Sequence, residues 1–244
     1  MKQVVCMKWG TLYPADYVNK LYGMVRRNVS GPLRFVCMTD DSSGVRDEVE
    51  CLPCPEVDLP RPYNNTGWRK LVLWKKELPG MQGDWLFLDL DAIVMDSLDV
   101  FFEFEPEVSF VVMHNWTQPG KGIGNTSVFR FRVGAHPYIF DRLEPEFEAI
   151  HDDYRIEQTY ISRTVGEMAF WPDAWCVLFK THCVPPMPVR WWKPPVVPHG
   201  ARVVAFPGVP NPHEAVLGLW PAKWYKKFYK HIRPALWIHD YWRA

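Results

Sequence analysis

An α/β fold with a mostly parallel, doubly wound sheet flanked by helices is predicted for this 244-residue chain by three observations. Apolar runs of strand length recur at 4–8, 33–38, 85–88 and 109–113. Helical periodicity separates the early runs. The first three of them end in polar groups, at Lys8, Thr39-Asp40-Asp41 and Asp89-Leu90-Asp91, which puts charge at the carboxyl edge where open α/β sheets bind ligands.

Residues 4–8 are apolar on both faces and read as a buried first strand. From Pro14 the spacing changes. Val18, Leu21, Tyr22 and Val25 fall at i, i+3, i+4 and i+7, a helix whose first turn accommodates Pro14 without losing an amide partner. Residues 33–38 form a second strand. A Pro-rich connection over 51–62 leads to a helix predicted over 67–78, apolar at Leu71, Leu73 and Trp74. Residues 85–88 need cover on both faces and make a third strand, and 109–113 a fourth. A strand at 127–131 follows the flexible Gly120-Lys-Gly-Ile-Gly124. Helices are predicted at 136–143 and 157–163. Six prolines between 185 and 198 exclude sustained regular structure there, so the C-terminal half is irregular before a short strand at 202–206.

Composition bounds the function. Net charge is zero and the pI near 7.1, which argues against a chain built to coat nucleic acid. A hydrophobic content of 48% excludes wholesale disorder. No apolar run reaches the roughly 18 residues of a membrane span, and residues 1–5 run straight into a strand. The expected location is therefore cytoplasmic, with six reduced cysteines. Cys51 and Cys54 have zinc-knuckle spacing, and Cys176 or Cys183 would have to complete the ligand set. No second close pair exists, and Pro53 and Pro55 stiffen the segment, so structural zinc is disfavoured.

Asp89 and Asp91, two apart at a strand end, emerge on one face. Carboxylates so placed repel unless a cation lies between them, and Mg2+ or Mn2+ bridging phosphate oxygens is the usual partner. The alternative is an acidic strand end facing water.

The neighbourhood extends the pattern. Phe87-Leu88 precedes the acidic pair and Leu98-Asp-Val-Phe-Phe102 follows it. With Lys8-Trp9-Gly10-Thr11-x-Tyr13, Thr39-Asp40-Asp41, Trp68-Arg69-Lys70-Leu71, Gly124-Asn125-Thr126-Ser127-Val128, Glu157-Gln158 and Phe206-Pro207-Gly208-x-Pro210-x-Pro212, the chain resembles nucleotide-sugar glycosyltransferases of the GT-A fold over residues 4–215. The likeness is greatest to glycosyltransferase family 8 and its uncharacterised bacterial relatives. It implies a GT-A, Rossmann-like mixed sheet in one domain over 1–220. Residues 1–120 would form the nucleotide-binding half, 121–220 the acceptor half, and 221–244 a separate segment.

The resemblance implies roles residue by residue. Asp89 and Asp91 would hold Mn2+ or Mg2+ against the diphosphate of a nucleotide sugar, UDP-linked. Lys8, Trp9, Gly10, Thr11 and Tyr13, with Thr39, Asp40 and Asp41 beside them, would contact the nucleoside. Arg69 and Lys70 would face phosphate or donor sugar; the alternative is a solvated helix face shared with Lys75 and Lys76. Asn125, Thr126 and Ser127 would approach the donor sugar, or else simply lead into a strand. Gln158 and Glu157 match an Asp-Gln pair beside the reacting carbon, with Gln158 suited to positioning rather than covalent attack. Glu157 read alone is a helix N-terminal acid. Retention of anomeric configuration is implied.

One position departs from the pattern. Relatives place a metal-binding histidine between the aromatic residue and Gly208, where this chain has Pro207. His213 or water would have to complete the metal shell. The expected partners are a nucleotide-sugar donor and a saccharide or glycolipid acceptor, in polysaccharide biosynthesis; the oligomeric state is not legible. Residues 221–244 carry six Lys and Arg against Asp240 alone, and Trp224, Phe228 and Ile232 fall at i, i+4 and i+8. An amphipathic helix is expected there, either packed on the domain with its lysines in solvent, or in peripheral contact with an anionic inner leaflet, or forming half of an oligomer interface. Two rival functions share these features: a catalytically retired nucleotide- or saccharide-binding protein, and a sugar nucleotidyltransferase. The latter needs a glycine-rich basic loop after the first strand, which Lys8-Trp9-Gly10-Thr11 does not supply.

Overall fold

The computed structural model describes residues 1–244. Strand β1 (Lys2–Lys8) is followed by helix α1 (Ala15–Arg27), β2 (Leu33–Thr39) and β3 (Glu50–Pro53). A 3₁₀ helix at Gly67–Trp74 leads to β4 (Asp84–Leu88), β5 (Ile93–Val94), α2 (Asp99–Glu103), β6 (Phe110–His114) and β7 (Gly124–Arg132). Helices α3 (Tyr138–Asp141), α4 (Phe147–Tyr154) and α5 (Glu157–Thr164) precede β8 (Ala169–Phe170) and β9 (Cys176–Leu178). The chain ends with β10 (Val203–Ala205), α6 (Pro212–Ala215) and α7 (Ile238–Tyr241).

Seven strands form one sheet in the order β3-β2-β1-β4-β7-β6-β8. Only β7 runs antiparallel to its neighbours β4 and β6. A second sheet, β5-β10-β9, has three strands. Alternation along β1 assigns the layers. Val4 and Cys6 face α1, the small sheet and α7, whereas Val5 and Met7 face the 3₁₀ helix and α3 to α5. β7 lies between β4 and β6, so residues on both sides of position 120 share one sheet.

Strands 4–8, 33–38, 85–88 and 109–113 appear within a residue or two of expectation. β3 was not expected in the Pro-rich connection. It is an edge strand ending at Pro53, where the missing amide costs the ladder least. The helix expected over 67–78 is instead a 3₁₀ helix ending at Trp74, because Pro79-Gly80 closes the segment into the turn that bridges Leu78 and Met81. The helix expected over 136–143 shrinks to Tyr138–Asp141, since Pro145 disfavours helical backbone before it. α4 was missed.

The C-terminal amphipathic helix does not form. Residues Trp224–Lys226 make one 3₁₀ turn, Ile232 enters the core, and Trp224 and Phe228 stand 83% and 68% exposed. Pro221 and Pro234 bracket too short a stretch, and hydrogen bonds from Ala235 to Ala215 and from Arg190 to the Tyr229 carbonyl pin it in place. No helix is long and apolar enough to cross a membrane. All six cysteines are free, and Cys51 on the edge of the large sheet is not brought into a metal-binding group with Cys176 on the small one.

Candidate functional site

A cavity of about 600 Å³ opens at the carboxyl ends of β1 and β4. Asp89 leaves β4 immediately after Leu88, its amide held by the Ser127 carbonyl at 2.9 Å. Its two carboxylate oxygens take Lys70 Nζ at 2.6 and 2.8 Å, and the same ammonium reaches the Thr126 carbonyl at 3.3 Å. Asp91, 7% exposed, accepts a hydrogen bond from the Tyr13 hydroxyl at 2.8 Å.

The electrostatics follow from this crowding. Burial and then the Asp89 charge push the Asp91 carboxyl up to about 7, against the lowering influence of Tyr13 and Lys70. Burial likewise raises Glu157, the first residue of α5, although Lys70 opposes it. For Lys70, burial alone would favour the neutral amine; Asp89, Glu157 and Asp91 together outweigh it and raise its pKa. One ammonium therefore serves three carboxyl groups, and burial favours the neutral form of two of them, Asp91 and Glu157. Burial and the Asp91 charge also raise the Tyr13 phenol, which stays protonated as the donor.

Two glycines make room for this arrangement. The β6–β7 register shifts between Val112 and Met113, so residues 126–128 bulge from the ladder beside Asp89. Gly124 starts that strand because a Cβ there would lie 2.6 Å from Val112 Cγ1. At Gly67 a Cβ would lie 2.6 Å from Glu157 Oε1. Asn125, Thr126 and Ser127 are all buried, and Asn125 Oδ1 accepts the Ser127 amide at 2.9 Å. Of the three, Ser127 lines the cavity. Gln158 also lines it, its Oε1 accepting from Asn115 Nδ2 at 2.9 Å.

Trp9, Gly10, Thr11 and Tyr13 form the β1 wall of the cavity. Lys8, Thr39, Asp40 and Asp41 stand behind that wall rather than in it. Lys8 Nζ and the Thr39 hydroxyl both donate to the Asp41 carbonyl, at 2.8 and 2.9 Å, and Asp40 accepts the Gly10 amide at 3.0 Å. These residues shape the loop that carries Trp9. The Arg69 guanidinium lies 5.9 Å from the Trp9 ring centre, with its Nε buried and without an acceptor.

Pro207 and Gly208 close the opposite wall. Behind them Lys180, unremarked in the sequence, donates to the Pro207 carbonyl, and a Cβ on Gly208 would lie 3.8 Å from its Nζ. Burial, then neighbouring Lys230, lowers its pKa. Asn211 Oδ1 lies 3.2 Å from the Tyr13 hydroxyl that donates to Asp91. His213 is exposed, with Nδ1 bonded to the Tyr17 hydroxyl. Lys180 stands in no motif, and Asn211 occupies an unspecified position of the Phe206–Pro212 segment; both meet the site only through the fold.

The donor set suits a hard divalent cation in kind. Asp89 and Asp91 offer carboxylate oxygens, Asn211 an amide oxygen nearby, and the raised Asp91 marks negative charge that a cation would relieve. No third His, Cys, Asp or Glu completes a ligand cluster with them, so water would supply the remaining positions.

No protein-family model matches the chain, and no curated protein matches its sequence. Solved structures do match its fold. A galactosyltransferase, LgtC, crystallised with donor and acceptor sugar analogues, aligns with a TM-score of 0.61 and 14% identity, covering 86% of this chain and 88% of its own. GlyE, a glycosyltransferase of Streptococcus pneumoniae TIGR4, gives 0.57 and 11%, covering 87% of this chain, which spans 56% of GlyE. Mouse xyloside xylosyltransferase 1 gives 0.52 and 12%, covering 74% of this chain and 88% of its own. The chain has the GT-A fold of these glycosyltransferases, over most of its length.

Proposed function

We propose that this protein is a glycosyltransferase that moves a sugar from a nucleotide sugar, UDP-linked, to a saccharide or glycolipid hydroxyl with the help of Mn2+ or Mg2+. The observation that carries the reading is the convergence of Asp89, Asp91 and Lys70 on one cavity at the carboxyl edge of a GT-A sheet. Three features support particular roles. Trp9 offers an aromatic face to a nucleobase, with the Arg69 guanidinium 5.9 Å from its ring centre. Gln158 lines the cavity with its Oε1 fixed by Asn115, which leaves its amide N–H groups to donate. Lys70 places positive charge in the cavity beside Asp89, and Lys180 lies behind the Pro207–Gly208 wall.

Asp89 and Asp91 would hold the metal, which supplies charge neutralisation to the departing diphosphate. The chain's own residues do the rest. Lys70 holds Asp89 in place through both carboxylate oxygens. Tyr13 donates to Asp91 and sets the orientation of its carboxyl. Glu157, held between Lys70 and Gly67, would in the ionised form that Lys70 favours against burial offset positive charge on the sugar as its bond to phosphate breaks. Of the two α5 residues Glu157 and Gln158, Gln158 lines the cavity and is a poor nucleophile, whereas Glu157 does not line it, so same-face attack and retention of configuration fit better than a covalent intermediate.

The test is thermal unfolding with UDP, GDP, ADP and their sugar conjugates, with and without Mn2+, on the native chain and Asp91→Asn. A ligand at about a hundred times its Kd adds roughly 2.7 kcal/mol, a shift of about 5 to 10 °C for a chain of this size. A metal-dependent shift with one nucleotide, lost in Asp91→Asn, is expected. No shift with any of them overturns the donor site. Pro207 at the position of the relatives' histidine favours a second reading, a retired nucleotide-binding protein. Metal-dependent hydrolysis of the donor without acceptor separates the two, since only a working transferase performs it.

A further inference from the structure

A side-chain amide can line a cavity with either of two opposite polarities, and at Gln158 the fold selects one of them. The selection starts at a backbone group. Asn115, 4% exposed and directly after β6, accepts the Thr117 amide at 3.0 Å and the Thr117 hydroxyl at 2.6 Å through one side-chain atom. A backbone N–H only donates, so that atom is Oδ1. The other end of Asn115 is then its NH2 group, which also only donates, and it meets Gln158 at 2.9 Å. The Gln158 atom it meets is therefore the oxygen, and the two N–H bonds of Nε2 are left for the cavity that Gln158 lines. The segment between β6 and β7 holds the Gln158 main chain as well. Its carbonyl accepts from the Ser162 hydroxyl at 2.7 Å, and that hydroxyl oxygen accepts the Gly124 amide at 2.9 Å. Asn115 is itself anchored, its own amide donating to the Ile123 carbonyl at 2.9 Å.

We infer that Asn115 is a positioning residue that sets Gln158 as a hydrogen-bond donor, and so selects a ligand that offers an acceptor oxygen at this point of the cavity. The polarity follows from hydrogen bonding inside the protein and does not depend on the transferase reading. That the oxygen belongs to a sugar, as a hydroxyl or ring oxygen, rests on that reading. Asn115 does not line the cavity and acts only through Gln158. An acid at position 115 would reverse the arrangement. A carboxylate keeps both bonds from Thr117 but cannot donate, so Gln158 would turn its amide over, give an Nε2 proton to the acid and present Oε1 to the ligand. The ligand's acceptor oxygen would then meet a second oxygen and lose its proton donor.

The experiment is solvent exchange of the side-chain amides, read by NMR on the full chain isotope-labelled at its four glutamines, Gln3, Gln82, Gln118 and Gln158. Gln158→Glu assigns the signal. In the native protein the Gln158 N–H pair is expected to exchange within about tenfold of exposed Gln82. In Asn115→Asp one proton of the pair is held by the new carboxylate, and its exchange should slow by roughly tenfold or more. A pair already protected in the native chain overturns the inference, and that measurement decides even where Asn115→Asp does not fold. Identical exchange in the native chain and folded Asn115→Asp overturns it equally. Turnover is the second readout, with the nucleotide sugar that gives the thermal shift. Asn115→Asp should lower it by about tenfold or more while the metal-dependent shift with UDP persists. Equal turnover overturns the selection of an acceptor oxygen. Absence of a shift with every nucleotide in the native chain fails the transferase reading instead, and the amide exchange still decides the polarity.

Discussion

At the scale of single residues, Lys70 holds the site together. It is the one ammonium among Asp89, Asp91 and Glu157, and removing one partner of a buried pair leaves charge without compensation. Lys70→Met is expected to lower stability by about 3 to 5 kcal/mol, read as a lower urea midpoint with an unchanged slope. Lys70→Met with Asp89→Asn should recover part of that loss, because the stranded charge goes with it. Gly67→Ala is a different kind of change. Its Cβ would meet the end of the Glu157 side chain at 2.6 Å, and a carboxyl can swing away. Stability should change by no more than about 1 kcal/mol, while donor turnover falls because Glu157 has moved. Equal donor turnover in native and Gly67→Ala protein would remove Glu157 from the proposed chemistry.

Elements meet through a few specific contacts. Asp99 at the start of α2 accepts from Lys2 on β1 at 2.6 Å and from the Ser30 amide at 3.0 Å. Burial alone would raise its pKa, but those bonds hold the carboxyl down at about 2. A carboxyl depressed in the folded state adds stability that is present above its unfolded pKa and lost as pH falls through the folded one. Between about pH 4 and pH 2 this clamp should therefore give up about 2 kcal/mol. Asp99→Ala should be less stable at neutral pH and show a shallower acid limb in urea titrations. At the β6–β7 bulge, Gly124→Ala would drive a Cβ into Val112 and cost about 1 to 3 kcal/mol. Val112→Ala in the same chain should relieve much of that strain; if the two costs simply add, the close approach is not the reason for glycine here.

Across the whole molecule, the C-terminus returns to the first helix. Trp242 stacks edge-on against Tyr17 at 5.0 Å with Lys20 Nζ 3.7 Å above its ring, and Arg27 donates to the carbonyls of Tyr241, Arg243 and Ala244. Gly23 is required by that return, since a Cβ would lie 2.5 Å from the Ala244 carbonyl carbon. Truncation after Leu236 strips Ile238 and Trp242 from the core, at about 1.5 to 3 kcal/mol for each buried side chain. The truncated chain should melt several degrees lower and become sensitive to proteolysis near α1. An unchanged melting temperature would mean that the tail is an accessory rather than part of the fold.

The sequence by itself determined the α/β class, the order of the principal strands and the placing of Asp89 and Asp91 at a ligand edge. Each of these is local information: apolar run length, helical spacing, and the two-residue period of a strand. It also marked Trp9, Tyr13, Lys70, Ser127, Gln158 and Gly208, all of which line the cavity. Tertiary structure decided the rest. It turned Lys8, Thr39, Asp40 and Asp41 into supports for the Trp9 loop, brought in Lys180 and Asn211 from irregular stretches, and put His213 on Tyr17. It replaced the expected C-terminal helix with an assembled surface, because Ile232 gains more from the core than the segment gains from a regular helix between two prolines. Side chains far apart in sequence meet only when burial and hydrogen bonding across the fold select one arrangement, and no local pattern records that choice.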